Sequence, residues 1–510
     1  MGVRRYTSIK DNIITNAYQS NLTTRGTGSN SGLADSLEIF SIYAQVNSAS
    51  NEQAKTLVQF PVLTSDDTTP NSLYTIQADR TNGKIPASGS VEFYLKLHNV
   101  EHDQTLPRDF TLRISPVSQS WEEGYGLDLD KYTDLTYDGT GSNWINASAH
   151  TKWKDITNTT LQGGSFLSHS NDGARGSHYN EFNYSQNFDV GNEDLEVKIT
   201  GLVEKWIKGE YPNYGVGLFL TASQASGSRS YYTKRFSARD SEYFFKRPTI
   251  EARWDSSRKD HRGNFYVENN ALSAADNKNT LYLYNYVRGQ LKDINGVGTG
   301  KIFVTLHTSA SSGMQLTPTQ TTTAHVPVTG GHVETGIYSA SFALDTTSSV
   351  VYDKWFSGNI NPSSATHYST SSFKPIDFVA GNTYYISEYV TTITNLQSEY
   401  SNDDITRVRL FTRLKDWRPT IYSVASNEIQ NEFVEDAFYK VVREVDGSDV
   451  VLYGTGSDNH TLISYDISGS YFDLDMRMLE PNYSYSIKFL FYINGAYEEQ
   501  PESFKFRVKE

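Results

Sequence analysis

Short strand-like runs, each bounded by turn-forming residues, recur along nearly the whole chain. VEFYLKLHNV, at residues 91–100, alternates apolar and polar side chains in the manner of a strand with one buried face. Pieces rich in Gly, Ser, Asn and Asp, such as residues 27–32, separate these runs. Amphipathic helices are nearly absent, and the best helical candidate is the second half of residues 195–208. The pattern predicts an all-β fold.

The chain has one marked boundary, the polar and glycine-ended stretch DSSRKDHRG at residues 255–263. Because a domain averages about 150 residues, the length of 510 residues predicts about three domains. We expect tandem β-sandwiches: a jelly roll over residues 1–255, an immunoglobulin-like sandwich over 264–374 and a C-terminal sandwich over 375–510. The Thr-, Ser- and Pro-rich residues 308–323 are predicted to form an exposed hairpin loop.

Composition and charge exclude several classes of function. The net charge of −14 and the absence of a dense Lys/Arg cluster argue against binding to nucleic acid or to anionic lipid. With no cysteine in the chain, disulfides, thiolate metal sites and thiol nucleophiles are excluded. MGVRRYTSIKDNIITNAY lacks the apolar run of a signal peptide, and no apolar stretch reaches the length of about 18 residues that spans a membrane. We therefore expect no export by a signal peptide and no membrane insertion.

Three aspartates form a candidate calcium site. Asp128, Asp130 and Asp134 alternate with other residues in DLDKYTD. Calcium prefers carboxylate and main-chain oxygens, which a loop of this kind supplies. The segment lacks the fixed Gly and the final Glu of an EF-hand loop. No other cofactor is indicated.

Two tryptophans are candidate ligand-binding residues. Trp144 and Trp153 flank the polar loop SNWINASAHTKW, where an indole ring is able to stack on a sugar. Packing of the loop against the rest of the domain is the alternative for both. Trp121 and Trp206, by contrast, lie within strand or helix patterns and are predicted to be core residues.

No catalytic constellation is present in the sequence. Glu122 and Glu123 are adjacent, and neighbouring side chains on a strand point to opposite faces, so the pair cannot flank one glycosidic bond. The G-x-S-x-G and G-x-x-x-x-G-K-[ST] motifs are absent. We predict that the protein is not an enzyme.

Several motifs follow one another in order through residues 1–255. VEFYLKLHNV matches an A-x-L-x-L strand, SQSWEEGYG a W-x-E-G segment, LEVKITGLVEKWIKGEYPNYGVGLFL a V-x-x-W-x-x-G-x-x-x-N-x-G-x-x-L block, and RFSARDSEYFFKRPTIEARW a closing strand. Through these motifs the N-terminal half resembles the DNRLRE-type jelly rolls, β-sandwich modules similar to carbohydrate-binding modules. The resemblance implies a jelly-roll fold and a carbohydrate-binding-like module.

The whole chain also resembles virion structural proteins of tailed, cyanophage-like marine bacteriophages. The likeness rests on the opening KDNIITNAYQSNLTTRGTGSNSGLADSLEIFSIYAQ, on YYTKRFSARDSEYFFKRPTIEARWD, and on the ending YFDLDMRMLEPNYSYSIKFLFYINGAYEEQPESFKFRVKE. It implies a protein made in the host cytoplasm and assembled on the virion as a head-decoration, neck or tail component. The expected partners are other virion proteins, in several copies on the particle.

Two functions follow as expectations. The first is a non-enzymatic structural component of a virion that acts by protein–protein assembly. The alternative is a carbohydrate-binding adhesin, with loops of the N-terminal domain recognising a host glycan.

Overall fold

The chain forms two compact all-β units, Gly2–Asp255 and Ser256–Glu510. Strands dominate both units, which confirms the predicted class of tandem β-sandwiches. None of the helices in the described parts of the chain is long and apolar enough to cross a membrane. The computed structural model describes residues 2–48, 50–66, 74–101, 107–127, 140–155, 157–167, 182, 184–319, 326–358, 365–377, 388–415, 421 and 431–510.

The N-terminal unit is a sandwich of two antiparallel sheets. One sheet has the order β1-β13-β5-β10 and the other the order β12-β3-β4-β11-β6-β9, with β2 also paired to β4. Helix α1 is Ile76–Thr81, α2 is Thr200–Ile207 and α3 is Ala222–Ala225. The strands are β1 (Val3–Thr7), β2 (Lys10–Thr15), β3 (Ser36–Tyr43), β4 (Asn51–Gln59), β5 (Glu92–Leu97), β6 (Phe110–Pro116), β7 (Asn146–Ser148), β8 (Thr151–Lys152), β9 (Tyr184–Phe188), β10 (Leu195–Lys198), β11 (Val216–Leu220), β12 (Tyr231–Ser237) and β13 (Thr249–Arg253).

The core between these two sheets is built by alternation along the strands. Phe93, Leu95 and Leu97 of β5 point inward, while the residues between them face outward. Helix α2 lies where the sequence predicts a helix, and its Trp206 is buried in the same core. Burying a large aromatic side chain contributes on the order of 3 kcal/mol or more, so Trp206 is a principal anchor of the unit.

The larger sheet is covered on its outer side by a third layer. In β2 and β4, Ile13 and Val58 belong to the core between the sheets, whereas Ile14 and Leu57 belong to a second cluster on the opposite face. The described parts of residues 117–167 form this covering layer. Its buried aromatic residues are Trp121, Trp144 and Trp153.

A buried carboxylate organises the outer face of the smaller sheet. Glu251 of β13 lies 2.6 Å from Arg5, 2.7 Å from Arg253 and 3.8 Å from Lys96, which stand on β1, β13 and β5. Burial would raise the pKa of Glu251, but the charges of Arg5, Lys96 and Arg253 outweigh burial and hold the pKa well below its usual range. The carboxylate therefore faces three cationic side chains, two of which, Lys96 and Arg253, also pair with Glu196 of β10.

The second sandwich occupies the first part of the C-terminal unit. Its strand order is β14-β20-β19-β17-β21-β22, with β18 paired to β17, and the ladder curls around a core that includes Tyr338 and Trp355. The predicted hairpin loop over residues 308–323 contains β18, and its residues 320–323 lie outside the described residues. The strands are β14 (Asn279–Tyr284), β15 (Tyr286–Val287), β16 (Gln290–Leu291), β17 (Ile302–His307), β18 (Gln315–Leu316), β19 (Val328–Glu334), β20 (Ile337–Phe342), β21 (Val351–Ser357) and β22 (Thr366–Phe373).

The third sandwich has two separate sheets. One has the order β23-β25-β29-β28, and the other has the order β24-β32-β30-β26-β27 with β31 paired to β30. Inward residues of both sheets, such as Val408, Val441 and Phe489, are buried. The strands are β23 (Tyr389–Ile393), β24 (Glu399–Ser401), β25 (Ile405–Leu414), β26 (Ala437–Arg443), β27 (Asp449–Val451), β28 (Ser464–Asp466), β29 (Gly469–Asp475), β30 (Ser484–Ile493), β31 (Ala496–Glu499) and β32 (Phe504–Lys509).

The polar stretch at the start of the C-terminal unit is hydrogen-bonded to both of its sandwiches. On the side of the third sandwich, the main-chain N–H of Asp260 donates to Tyr465 O at 3.1 Å, and Tyr465 N–H donates to Arg258 O at 2.9 Å. On the side of the second sandwich, the Arg262 guanidinium pairs with buried Asp353 at 2.7 Å. These residues therefore form a seam between the two sandwiches.

We predict that Glu251→Gln lowers the free energy of unfolding of the N-terminal unit by about 3–5 kcal/mol, because Arg5, Lys96 and Arg253 each lose a buried carboxylate partner and Glu196 remains beside only Lys96 and Arg253. Urea unfolding of the full chain, with hydrogen–deuterium exchange of β5 and β13 as the local measurement, checks this. Lys198→Gln, which breaks an exposed ion pair with Glu92, is the control and should cost roughly 0.5 kcal/mol or less. Equal effects of the two substitutions would contradict the assignment.

Candidate functional site

A polar cleft of about 670 Å³ opens at one edge of the N-terminal sandwich. It lies where two crossovers pass between the sheets: residues 8–9 join β1 to β2, and residues 238–248 join β12 to β13. Its volume falls within the range of small-molecule sites. The cleft is lined by Thr7, Ser8, Ile9, Lys10, Gln59, Ser65, Asp66, Ser120, Asn213, Tyr214, Arg239, Asp240 and Arg247.

Lys10 is held at the floor of the cleft by the covering layer. Its Nζ donates to Trp121 O at 2.6 Å and lies 4.4 Å from the centre of the Trp121 ring. The Trp121 indole is itself fixed, because its Nε1–H donates to Tyr214 O at 2.8 Å. Burial lowers the pKa of Lys10, and the carboxylates of Glu123, Glu122 and Asp66 oppose that shift.

Asn213 connects the segments that form one wall. Its Nδ2 donates to Phe60 O at 2.8 Å and to the Asp66 carboxylate at 2.7 Å, and its main-chain oxygen accepts from Gln59 Nε2 at 2.8 Å. Burial raises the pKa of Asp66, and the hydrogen bond from Asn213 opposes the shift. Gly215, two residues on, has φ +80° and lies so close to Val58 O that a Cβ would clash with it. This wall therefore requires both residues of the N-x-G sequence: Asn213 for its hydrogen bonds and Gly215 for its backbone conformation and close approach to Val58.

A buried carboxyl group supports the opposite wall. Asp11 Oδ2 accepts the main-chain N–H of Arg239 at 2.7 Å, and Asp11 N–H donates to Glu123 Oε1 at 2.7 Å. The Arg239 guanidinium lies 3.3 Å from the same Glu123 carboxylate. Burial raises the pKa of Asp11 to about 7, and burial likewise raises the pKa of Glu123. Together these groups fix the position of Arg239 at the cleft.

Two buried oxygen atoms among the lining residues have no donor. Ser8 is 5% exposed and Gln59 is 7% exposed, and neither Ser8 Oγ nor Gln59 Oε1 has a hydrogen-bond partner within the described chain. An unsatisfied buried oxygen costs about 1–3 kcal/mol, and both atoms are covered by protein and closed off from the cleft. The cleft itself combines cationic side chains with carboxyl groups of shifted pKa, a combination that marks binding sites.

The structure places both predicted sugar-stacking tryptophans in the covering layer. Trp153 is 0% exposed and its Nε1–H donates to Asn143 O at 2.7 Å, while Trp144 is 8% exposed. Lys55 Nζ lies 5.3 Å from the Trp144 ring centre, and a Cβ at Gly163 would meet the same ring. Both indole rings are therefore buried in the packing of the covering layer.

The candidate calcium ligands Asp128, Asp130 and Asp134 lie outside the described residues. Across the parts of the chain that are described, no group of three His, Asp or Glu side chains is arranged to hold a metal ion.

Sequence reasoning missed most of the cleft. It considered Glu122 and Glu123 only as a catalytic pair, whereas in the structure Glu122 is exposed and Glu123 turns inward to Asp11 and Arg239. The usable signal was that the segments quoted for the two resemblances include W-E-E-G at 121–124, S-A-R-D at 237–240 and KDN at 10–12. No local periodicity shows that these three segments meet.

Comparisons with known proteins add little to this description. No family model and no curated protein matches the chain. A solved structure described as "Crystal structure of DIP-gamma IG1+IG2" is similar over 46% of this chain and 90% of its own length, at 11% identity and a TM-score of 0.11. A TM-score that low constrains neither fold nor function.

We expect Trp153→Ala to lower the free energy of unfolding by about 3–5 kcal/mol, because it leaves a cavity in the covering layer and frees the Asn143 carbonyl. Chemical denaturation of the full chain measures the effect, with hydrogen exchange of β2 and β4 as the local readout. Tyr243→Ala, at an exposed site, is the control and should change stability by roughly 0.5 kcal/mol or less. An unchanged unfolding curve for Trp153→Ala would contradict the core assignment.

The raised pKa of Asp11 predicts a defined pH dependence. The pKa of Asp11 is higher in the folded protein than its value near 3.8 in the unfolded chain, so the protonated carboxyl stabilises the fold. This stabilisation is lost as the pH rises toward about 7. Asp11→Asn should therefore gain stability relative to the natural chain as pH rises from 4 to 8, by roughly 1–4 kcal/mol. Denaturation at a series of pH values measures the difference, and exposed Asp35→Asn is the control. A pH-independent difference for Asp11→Asn would contradict the prediction.

Proposed function

We propose that this protein is a non-enzymatic structural component of a phage virion that acts by protein–protein assembly. The proposal is supported by the separately cored all-β units, by a composition with 35 tyrosines, and by one exposed aromatic surface in the C-terminal unit. Tyrosine is enriched at protein interfaces because its ring packs while its hydroxyl keeps a polar partner.

The observation that carries the proposal is the face of the β30–β31 hairpin, here called the hairpin face. Tyr492 and Tyr497 are opposite each other across the two strands, with ring centres 4.8 Å apart, and they are 43% and 50% exposed. Buried Phe438 lies behind them, 6.1 Å from the Tyr497 ring, and Leu490 pairs with Phe438 on the neighbouring strand. Two large rings thus stand at the surface on a rigid apolar base.

A charged rim borders this aromatic pair. Glu499 accepts from Lys440 at 3.0 Å, from Lys488 at 3.1 Å and from the Tyr453 hydroxyl at 3.1 Å. Interfaces commonly have an apolar centre surrounded by polar groups that remain accessible to water. The hairpin face has this arrangement, and its aromatic pair is suited to fill a pocket on a neighbouring subunit.

Incorporation into particles tests the proposal. The chain should be found in purified virions at a fixed copy number by quantitative mass spectrometry, and the double substitution Tyr492→Ser with Tyr497→Ser should reduce its incorporation at least tenfold, as expected for loss of aromatic anchors. Tyr286→Ser, at another exposed tyrosine of the same unit, is the control and should incorporate normally. Absence of the chain from purified particles overturns the proposed function. Normal incorporation of the double variant overturns the role of the hairpin face.

Carbohydrate recognition is a second candidate function, and the polar cleft of the N-terminal unit favours it. The cleft and the hairpin face belong to different units of the chain. Binding of a glycan and assembly are therefore compatible, and each is tested independently of the other.

A further inference from the structure

We propose that the outer edge of β31, here called the open edge, docks an extended strand of a neighbouring virion protein that carries a basic residue opposite Glu498. The inference rests on the proposed function, and it names the kind of partner that the hairpin face meets. Within the described residues β31 pairs with β30 alone, and all four of its residues, Ala496–Glu499, are exposed. A strand in this position is able to accept one more strand on its free side.

Two residues of β31 point their main-chain groups away from β30. Gln500 N–H donates to Phe489 O at 2.8 Å, and hydrogen-bonded pairs alternate with non-hydrogen-bonded pairs along an antiparallel ladder. The main-chain groups of Glu498 therefore face β30, whereas Tyr497 and Glu499 turn their N–H and C=O groups to the open edge. No described residue makes a hydrogen bond to these four groups.

The hairpin turn holds the open edge in place before a partner arrives. Asn494 and Gly495 join β30 to β31, and both have positive φ, 53° and 82°. A two-residue turn with positive φ at both positions is of type I′, and its twist matches that of the two strands. Main-chain hydrogen bonds to a partner strand therefore require little reordering of this chain.

Glu498 selects the charge of the partner. Its side chain is exposed and has no ion-pair partner within the described part of the chain, whereas Glu499 is paired with Lys440 and Lys488. If a second copy of β31 paired antiparallel through both outward-facing residues, each Glu498 would stand directly opposite the other in a close, non-hydrogen-bonded pair. Like charges in that position destabilise a sheet, so the open edge disfavours a second copy and favours a strand with Lys or Arg there.

The hairpin face sets the neighbouring residues of the partner. Residues opposite one another on paired strands share a face, so the partner residue opposite Tyr497 lies on the hairpin face, beside the rings of Tyr492 and Tyr497. An aromatic ring and a β-branched side chain form a favourable cross-strand pair. The sequence that fits is therefore an alternation of apolar and basic residues, with the basic residue opposite Glu498.

Short peptides test the open edge on the full chain. The fluorescein-labelled peptide Thr-Val-Lys-Val-Thr places lysine opposite Glu498 and a valine opposite each of Tyr497 and Glu499. In fluorescence anisotropy it should bind saturably, and at least tenfold more tightly than Thr-Val-Glu-Val-Thr, because the central charges attract in the first complex and repel in the second. Methylation of the two valine nitrogens should weaken binding at least tenfold, since it removes two hydrogen bonds to β31.

Charge reversal at Glu498 supplies the specific variant. Glu498→Lys should reverse the preference, so that the glutamate peptide binds at least tenfold more tightly than the lysine peptide. Tyr497→Ser should weaken both peptides about tenfold through loss of the ring. Asp345→Lys, which reverses an exposed carboxylate of the second sandwich, is the matched control and should leave the preference unchanged. All three positions are exposed, so the melting temperature should change little in each variant.

The possible outcomes separate the open edge from the proposed function. Equal binding of the lysine and glutamate peptides, or no loss on N-methylation, overturns the docking of a basic strand at the open edge. Failure of every peptide to bind overturns it as well, whereas copy counting in purified virions decides the proposed function separately. Proline at position 497 removes an outward-facing N–H that serine keeps. Self-association of the natural chain in analytical ultracentrifugation that Tyr497→Pro abolishes and Tyr497→Ser retains would make a second copy the occupant and overturn the assignment.

Discussion

The N-terminal unit depends on the fact that β2 and β4 are apolar on both faces. A two-layer sandwich would leave Ile14 and Leu57 in water, and burial of such side chains contributes roughly 1.5–3 kcal/mol each. The covering layer with its tryptophans removes that surface from water. The polar cleft forms at the margin of this layer, where Trp121 supports Lys10 and the strand crossovers meet. The geometry of the candidate site is therefore a consequence of covering the second face of the sheet.

Much of the fold could be predicted from local sequence patterns. The features that could not be predicted depend on contacts between residues far apart in the sequence. A strand with clear alternation, such as β5 within VEFYLKLHNV, lies where the sequence indicates. β1 was not predicted, because VRRYT carries two arginines, and half-buried Arg5 pairs with Glu251, which is far away in the sequence. An ion pair between residues far apart in the sequence leaves no pattern in the local sequence. The fold class could thus be predicted from the sequence, while several edge strands could not.

The same limit applies to the tryptophans and to the cleft. Trp153 lies in a polar loop, so its neighbours in sequence suggest exposure, yet the loop folds back and buries the indole completely. Ser8, Gln59 and Arg247 come from segments far apart in the chain and have no shared motif. The residues that the sequence singles out hold the cleft together, since Asn213 and Glu123 lie in the ordered motifs. The sequence patterns therefore include residues that support the cleft, but not the other residues that line it.

The seam at the start of the C-terminal unit has a consequence for how the chain resists proteolysis. Its sequence, with Arg258, Lys259 and Arg262 in a polar stretch, is that of a typical trypsin-sensitive linker. A protease, however, must bind its substrate as an extended segment with free main-chain groups, and those of Arg258 and Asp260 are already engaged with Tyr465. Cleavage here requires local unfolding that detaches the segment from both sandwiches at once. Trypsin would therefore cut the folded chain slowly at this point, despite the three basic residues.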